Sequence, residues 1–174
     1  MLHEALIRLI RDRGWDEITV QDVCERADVG RSTFYVHFAD KEELLVSGFA
    51  GLRKQLREQA AREKGKPLAF TLALFQHARE YQPVYRALLG RRTAQVVYRG
   101  LLEVVIELLN EDVAEFAPPG PFRDAAVRYL AGGFWELLQL WGNQPNGSSA
   151  LEVDEIFRRL TMPVLREMRK IGGG

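Results

Sequence analysis

TVQDVCERADVGRSTFYVHFADK, residues Thr19 to Lys41, is the stretch that decides the fold. It reads as two short helices joined by a tight turn, with a third helix starting directly afterwards. Thr19 is a good N-cap, with Asp22 three residues on in place of the usual Glu. Val20, Val23, Cys24 and Ala27 recur at helical spacing and give the first helix one apolar side. Asp28-Val29-Gly30 breaks that pattern: Asp tolerates a left-handed backbone, Val29 plugs the angle between the helices, and Gly30 caps the second helix. That helix, Arg31 to about His37, is under two turns long and is not stable alone in water. Phe34 and Phe38, one turn apart, must anchor it to its neighbours. Arg31, Ser32, Thr33, Tyr35 and His37 are then left off the core. A short helix pinned by its apolar side and presenting polar tips is what reading a major groove requires.

The segment resembles the helix-turn-helix of the TetR family of bacterial transcriptional repressors. That family's pattern is roughly a Thr, an apolar-periodic helix, an Ala-Gly-Val turn, then Thr-Phe-Tyr-x-His-Phe and Lys-Glu-x-Leu. Here stand Thr19, Ala27-Asp28-Val29, Thr33-Phe34-Tyr35-Val36-His37-Phe38 and Lys41-Glu42-Glu43-Leu44-Leu45. Two departures are Asp28 at the common turn Gly and Gly30 at the common Ser cap; both suit their backbone roles, although an Asp facing phosphate weakens affinity slightly. The resemblance covers about the first third of the chain. It implies that Arg31, Ser32 and Thr33 meet base edges, with Gln21 as a further reader, while Thr19, Tyr35, His37 and Lys41 hold phosphates. Lys41 is otherwise misplaced, since a cation at a helix N-terminus is mildly unfavourable unless a phosphate sits there. A solvated surface lysine is the alternative.

A chain of 174 residues, 47% apolar and 28% charged, buries roughly 70% of its unfolded surface and needs no metal or disulfide staple. Its apolar runs are too short to span a bilayer and no signal peptide is evident, so a cytoplasmic protein with no membrane partner is expected. Cys24, the single cysteine, sits on the apolar side of a helix and reads as a buried structural thiol, with a redox sensor as the alternative. Charge does not favour DNA: 24 basic residues balance 24 acidic ones, and residues 1–60 carry nine basic against eleven acidic. A nucleic-acid domain usually has a basic footprint. The resemblance implies a basic arm ahead of the first helix, and one is expected to precede the residues given.

Outward from the motif, Ala5, Leu6, Leu9 and Ile10 form the stripe of a first helix over about Leu2 to Arg13, ended by Gly14, with Trp15 folding back. Asp40 caps a fourth helix that runs to about Glu63, long enough to leave the DNA-binding unit and act as a lever. Gly65-Lys66-Pro67 marks the joint. Five more helices come after it: about Leu68 to Tyr81, a short one opened by Pro83 and closed by Gly90, about Arg92 to Phe116, about Phe122 to Trp141, and one from near Glu152 that Pro163 should kink. Gly132-Gly133 costs ~1 kcal/mol per Gly relative to Ala, which suggests a close helix crossing or space for something bound. The loop 144–150 is polar and the glycine tail flexible. The expectation is an all-α protein of nine helices, with a three-helix DNA-binding head over 1–47 and a six-helix ligand-binding and dimerisation body over 48–174.

The last two helices carry more apolar surface than one domain of this size needs, which points to a homodimer packed as a four-helix bundle. Tyr129, Leu137, Leu140, Trp141, Ile156, Phe157, Leu160 and Val164 are its expected interface. A dimer places two recognition helices about one DNA turn apart, roughly 34–36 Å, and so calls for a palindromic double-stranded operator. The resemblance implies a pocket in the body for a small-molecule effector whose binding spreads the heads, and Phe75, Tyr85, Tyr98, Leu102, Phe134 and Trp135 are the candidate lining. Aromatics at helical spacing serve equally as core. With His3, His37 and His77 dispersed, and no nucleophile–base pairing, metal-spaced cluster or Gly-rich phosphate loop, no enzyme, metal or cofactor is expected. The leading reading is a ligand-released repressor; the alternative is a protein-binding adaptor that retains the helix-turn-helix shape.

Overall fold

The computed structural model describes residues 1–63, 65–89, 93–142 and 147–172. Among them are nine α-helices, one 3₁₀ turn and no strand. The helices are α1 (Leu2–Arg13), α2 (Val20–Ala27), α3 (Arg31–His37), α4 (Lys41–Arg62), α5 (Ala69–Glu80), α6 (Gln82–Leu89), α7 (Ala94–Val113), α8 (Pro121–Gly142) and α9 (Ala150–Gly172), with the 3₁₀ turn at Trp15–Glu17. The expected ends of α6 at Gly90 and α7 at Arg92, much of the 144–150 loop and the glycine tail fall outside the described residues. The chain stays helical through Pro163.

Two compact units result: Met1–Leu52 with Tyr81–Leu101, and Arg53–Glu80 with Leu102–Gly174. The division differs from a cut at 47/48 because α6 packs against α1 and the opening turns of α7 join it. In the first unit α1 buries Ala5, Leu6, Leu9 and Ile10, the stripe its spacing sets out, against α2 and α6. Trp15 does fold in and is buried. α4 and α7 approach closely in this unit: a Cβ on Gly100 would stand 2.3 Å from the ring of Phe49.

In the second unit α5 packs on α8 and α9, and α8 on α9. Its centre is an aromatic cluster. Phe75 and Phe134 lie 4.6 Å apart, Phe157 meets Phe134 edge-on at 5.2 Å, and Trp141 meets Phe75 edge-on at 5.8 Å. Such pairs add about 0.5–1.5 kcal/mol each beyond their burial. The joint before α5 is held by polar groups. Leu68 sits in the left-handed region at φ 59° and is fully buried. Arg158 donates to the carbonyls of Pro67 and Leu68 and to Asp154, Thr71 donates to Asp154, and the Leu68 N–H donates to Asp112 at 2.7 Å. The strained corner is thereby satisfied from α7 and α9. Arg53 and Arg57 of α4 pair with Glu107 and Glu111 of α7 along the surface of this unit.

Candidate nucleic-acid interface

The helix-turn-helix is built by its caps. Thr19 accepts from the Asp22 N–H at 3.2 Å, and Asp22 Oδ2 accepts from the Thr19 N–H at 2.8 Å, a full capping box. The Thr19 hydroxyl also donates to Asp22, and Arg13 donates to the same carboxylate at 2.8 Å. These bonds, led by the Thr19 hydroxyl, hold the Asp22 carboxyl down to about 2. Asp28 closes α2 in the left-handed conformation at φ 54° that its short polar side chain tolerates. Asp40 then caps α4 by accepting from the Glu43 N–H at 2.8 Å, and Glu43 accepts from the Ala39 N–H at 2.5 Å.

Phe34 is 0% exposed and its ring lies 5.7 Å from that of Phe38, the two-ring anchor that α3 requires. The rest of α3 is outward: Arg31, Ser32, Thr33, Tyr35, Val36 and His37 are all exposed. The Arg31 guanidinium lies 6.0 Å from the Tyr35 ring centroid, one turn on. Gln21 is exposed on α2 and donates to Glu25 at 2.8 Å. Gln21, Cys24, Glu25, Asp28, Val29, Gly30 and Arg31 line a surface depression of about 450 Å³. Gln21 and Arg31 are thus brought together.

Two expected phosphate holders are otherwise engaged. The Thr19 hydroxyl is spent on the capping box. Lys41 donates to the carbonyls of Trp15 at 2.7 Å and Ile18 at 2.6 Å, with its ammonium 4.4 Å from the Trp15 ring centroid. Tyr35 and His37 remain exposed on α3. Val36, two residues after Phe34 and on the far side of the helix, is exposed with them.

The remaining candidates divide. Phe75 and Phe134 are buried, packed against each other and against Phe157 and Trp141. Tyr85 and Tyr98 belong to the first unit, Leu102 and Trp135 to the second, all half-buried. Burial, with Tyr81 adding to it, pushes the Tyr85 phenol well above its ordinary range. Of the interface candidates, Tyr129, Leu140, Ile156 and Leu160 are exposed, Leu137 and Val164 half-buried. Trp141 and Phe157 are buried within the protomer by the aromatic cluster.

Residues 2–47, from the start of α1 into α4, match the family model of bacterial regulatory proteins of the tetR family. Over these residues, about a quarter of its length, the chain is similar to TetR-family regulators. No curated protein matches it. Among solved structures, a TetR transcriptional regulator from Streptococcus agalactiae is similar at 25% identity and a TM-score of 0.61, over 92% of this chain and 90% of that one. A TetR-family regulator from Syntrophomonas wolfei shares the fold at 16% identity and a TM-score of 0.69, over 94% and 92%. So does FadR from Thermus thermophilus, a TetR-family repressor solved with lauroyl-CoA, at 22% identity and 0.59, over 92% and 91%. The match supports a DNA-binding transcriptional regulator, and the matched residues include the exposed face of α3.

Proposed function

We propose that this chain is a repressor that binds a palindromic operator as a dimer and is released when a small molecule binds its helical body. The observation that carries the DNA half is α3 itself: one fully buried ring beneath and six exposed side chains above. Arg31, Ser32, Thr33 and Gln21 read bases, and Tyr35 and His37 hold phosphates. Thr19 fixes the start of α2, and Lys41 has a third proton left for a phosphate.

The dimer reading rests on α8 and α9. These adjacent helices leave Tyr129 71% and Leu160 66% exposed, and Leu140 and Ile156 are exposed on them too. Large apolar side chains grouped on two neighbouring helices mark an interface rather than scattered surface residues. Residues 48–174 are its ligand-binding and dimerisation part, and residues 1–47 its DNA-binding part. α4 and α7 each run from one compact unit into the other, so a ligand that shifts either helix in the second unit moves residues of the first. The FadR complex with lauroyl-CoA makes acyl-CoA esters the first effectors to try. Tyr85, Tyr98, Leu102 and Trp135 are the side chains to vary in that screen.

Selection of bound duplexes from a random pool, with and without a small-molecule extract, tests the whole reading. An inverted repeat should emerge and be lost with extract. Arg31→Ala should then cost about 1–3 kcal/mol and relax preference at one base pair. The acidic balance of residues 1–60 favours a second reading, a protein-binding adaptor, which a selection that enriches no sequence would support.

A further inference from the structure

Val36 is 77% exposed, more than any other large apolar residue within the described helices. A lone surface valine needs no explanation in general. This one occupies a particular place. With about 100° per residue, the direction opposite the buried Phe34 falls between Ser32 and Val36, each roughly 20° from it. Arg31 and Tyr35 lie to one side of that line, Thr33 and His37 to the other. The outermost point of the recognition helix is therefore a hydroxyl and, one turn on, a pair of methyl groups. No described element covers either, since both are exposed.

An apolar group at the bottom of a major groove has one chemical counterpart there, the C5-methyl of thymine; every other base edge offers donors and acceptors. Valine is also suited to fix such a contact, because β-branching leaves it essentially one rotamer in a helix. The surroundings raise its weight. Arg13 and Arg26 are paired with Asp22 and Asp12 within the head, and two of the three Lys41 protons with carbonyls. Fewer cations remain for phosphates, so more of the binding must come from the groove floor.

We propose that Val36 is a specificity-determining residue that selects a T·A pair in each half-site through the thymine methyl. The inference rests on the DNA-binding reading and deepens it. Its test uses the full chain and the best duplex from selection, in which thymidines are replaced one at a time by deoxyuridine. Removing one methyl group from the contact should weaken wild-type binding about three- to five-fold at a single position per half-site. In Val36→Ser the same replacement should have no effect, while melting temperature and salt dependence stay at wild-type values. Wild-type protein that binds the duplex but is indifferent to every replacement overturns this inference alone. So does a Val36→Ser variant that still loses affinity at the same position. Failure of the wild type to bind any duplex removes the DNA reading and this inference together.

Discussion

Lys41 Nζ lies 2.6 Å from the carbonyl oxygen of Ile18. With the Trp15 carbonyl at 2.7 Å, two of its three protons are fixed on the turn that joins α1 to α2. Partial burial lowers its pKa, while Asp16, Glu42 and Asp22 favour its charge. The first residue of α4 is therefore pinned to the entry of the helix-turn-helix, and whatever moves α4 at that end moves the entry of α2 with it.

Lys41→Met should thus cost stability before it costs DNA affinity. Hydrogen bonds to a charged donor are worth about 1.5–3 kcal/mol, and two carbonyls lose theirs here, so a loss of about 2 kcal/mol in urea unfolding is expected. A salt titration of operator binding separates the remaining proton's role: if it serves a phosphate, the slope falls by about one unit. An unchanged urea midpoint would rule out the tether.

Asp112 sets a pH dependence. Burial pushes its carboxyl up to about 6, against the Leu68 N–H and Arg158, which favour the ionised form. Between about pH 4 and pH 6 the folded chain holds a proton that the unfolded chain has released, so this group's contribution is best below pH 4 and declines as pH rises through 6. Asp112→Asn keeps an acceptor for Leu68 and removes the charge. It should raise stability at neutral pH by on the order of 1 kcal/mol, discounted for a side chain only partly buried, and leave acid stability nearly unchanged. A variant less stable across the whole range would mean that Leu68 needs the carboxylate.

Asp22 works with the opposite sign. Its pKa of about 2 lies below the ordinary value, so the capping box contributes above about pH 4 and is lost as pH falls through 2. Asp22→Asn should remove part of that acid sensitivity from the head, as read by amide exchange in α2.

Gly100→Ala should destabilise the first unit. The added Cβ would stand 2.3 Å from two ring carbons of Phe49. Overpacking costs about 1–3 kcal/mol, more than the ~1 kcal/mol that Ala gains in a helix. Phe49→Leu in the same chain should recover part of the loss. Additive effects of the two changes in a double-mutant cycle would show that the rings do not meet the helix there.

Gly133 invites the reverse outcome. A Cβ there meets no described atom within 4 Å, so the protomer gives no steric reason for glycine. Gly133→Ala should stabilise the isolated protomer by roughly 0.5–1 kcal/mol. It lies between Tyr129 and Leu140 on the exposed side of α8, and if a partner helix crosses there the dimer should weaken. Sedimentation equilibrium that finds an equal or tighter dimer would move the crossing elsewhere.

What could be read directly from the residues was local. The capping box at Thr19 and Asp22, the left-handed Asp28, the Gly14 stop and the Phe34–Phe38 anchor each depend on neighbours within about one turn, so spacing and side-chain chemistry specify them. The same holds for the nine helices of the described residues and for the exposed tips of α3. Partnerships across the chain were decided only by packing. Periodicity gave Trp141 and Phe157 the same standing as Tyr129 and Leu160; the cluster around Phe75 and Phe134 buried the first two and left the others outside. Lys41 likewise read as a cation awaiting a phosphate, because the carbonyls it holds lie 23 and 26 residues away. A helix face can be inferred from its own repeat, but which of several apolar faces is covered, and where a long side chain finds its partner, depends on elements distant in the chain.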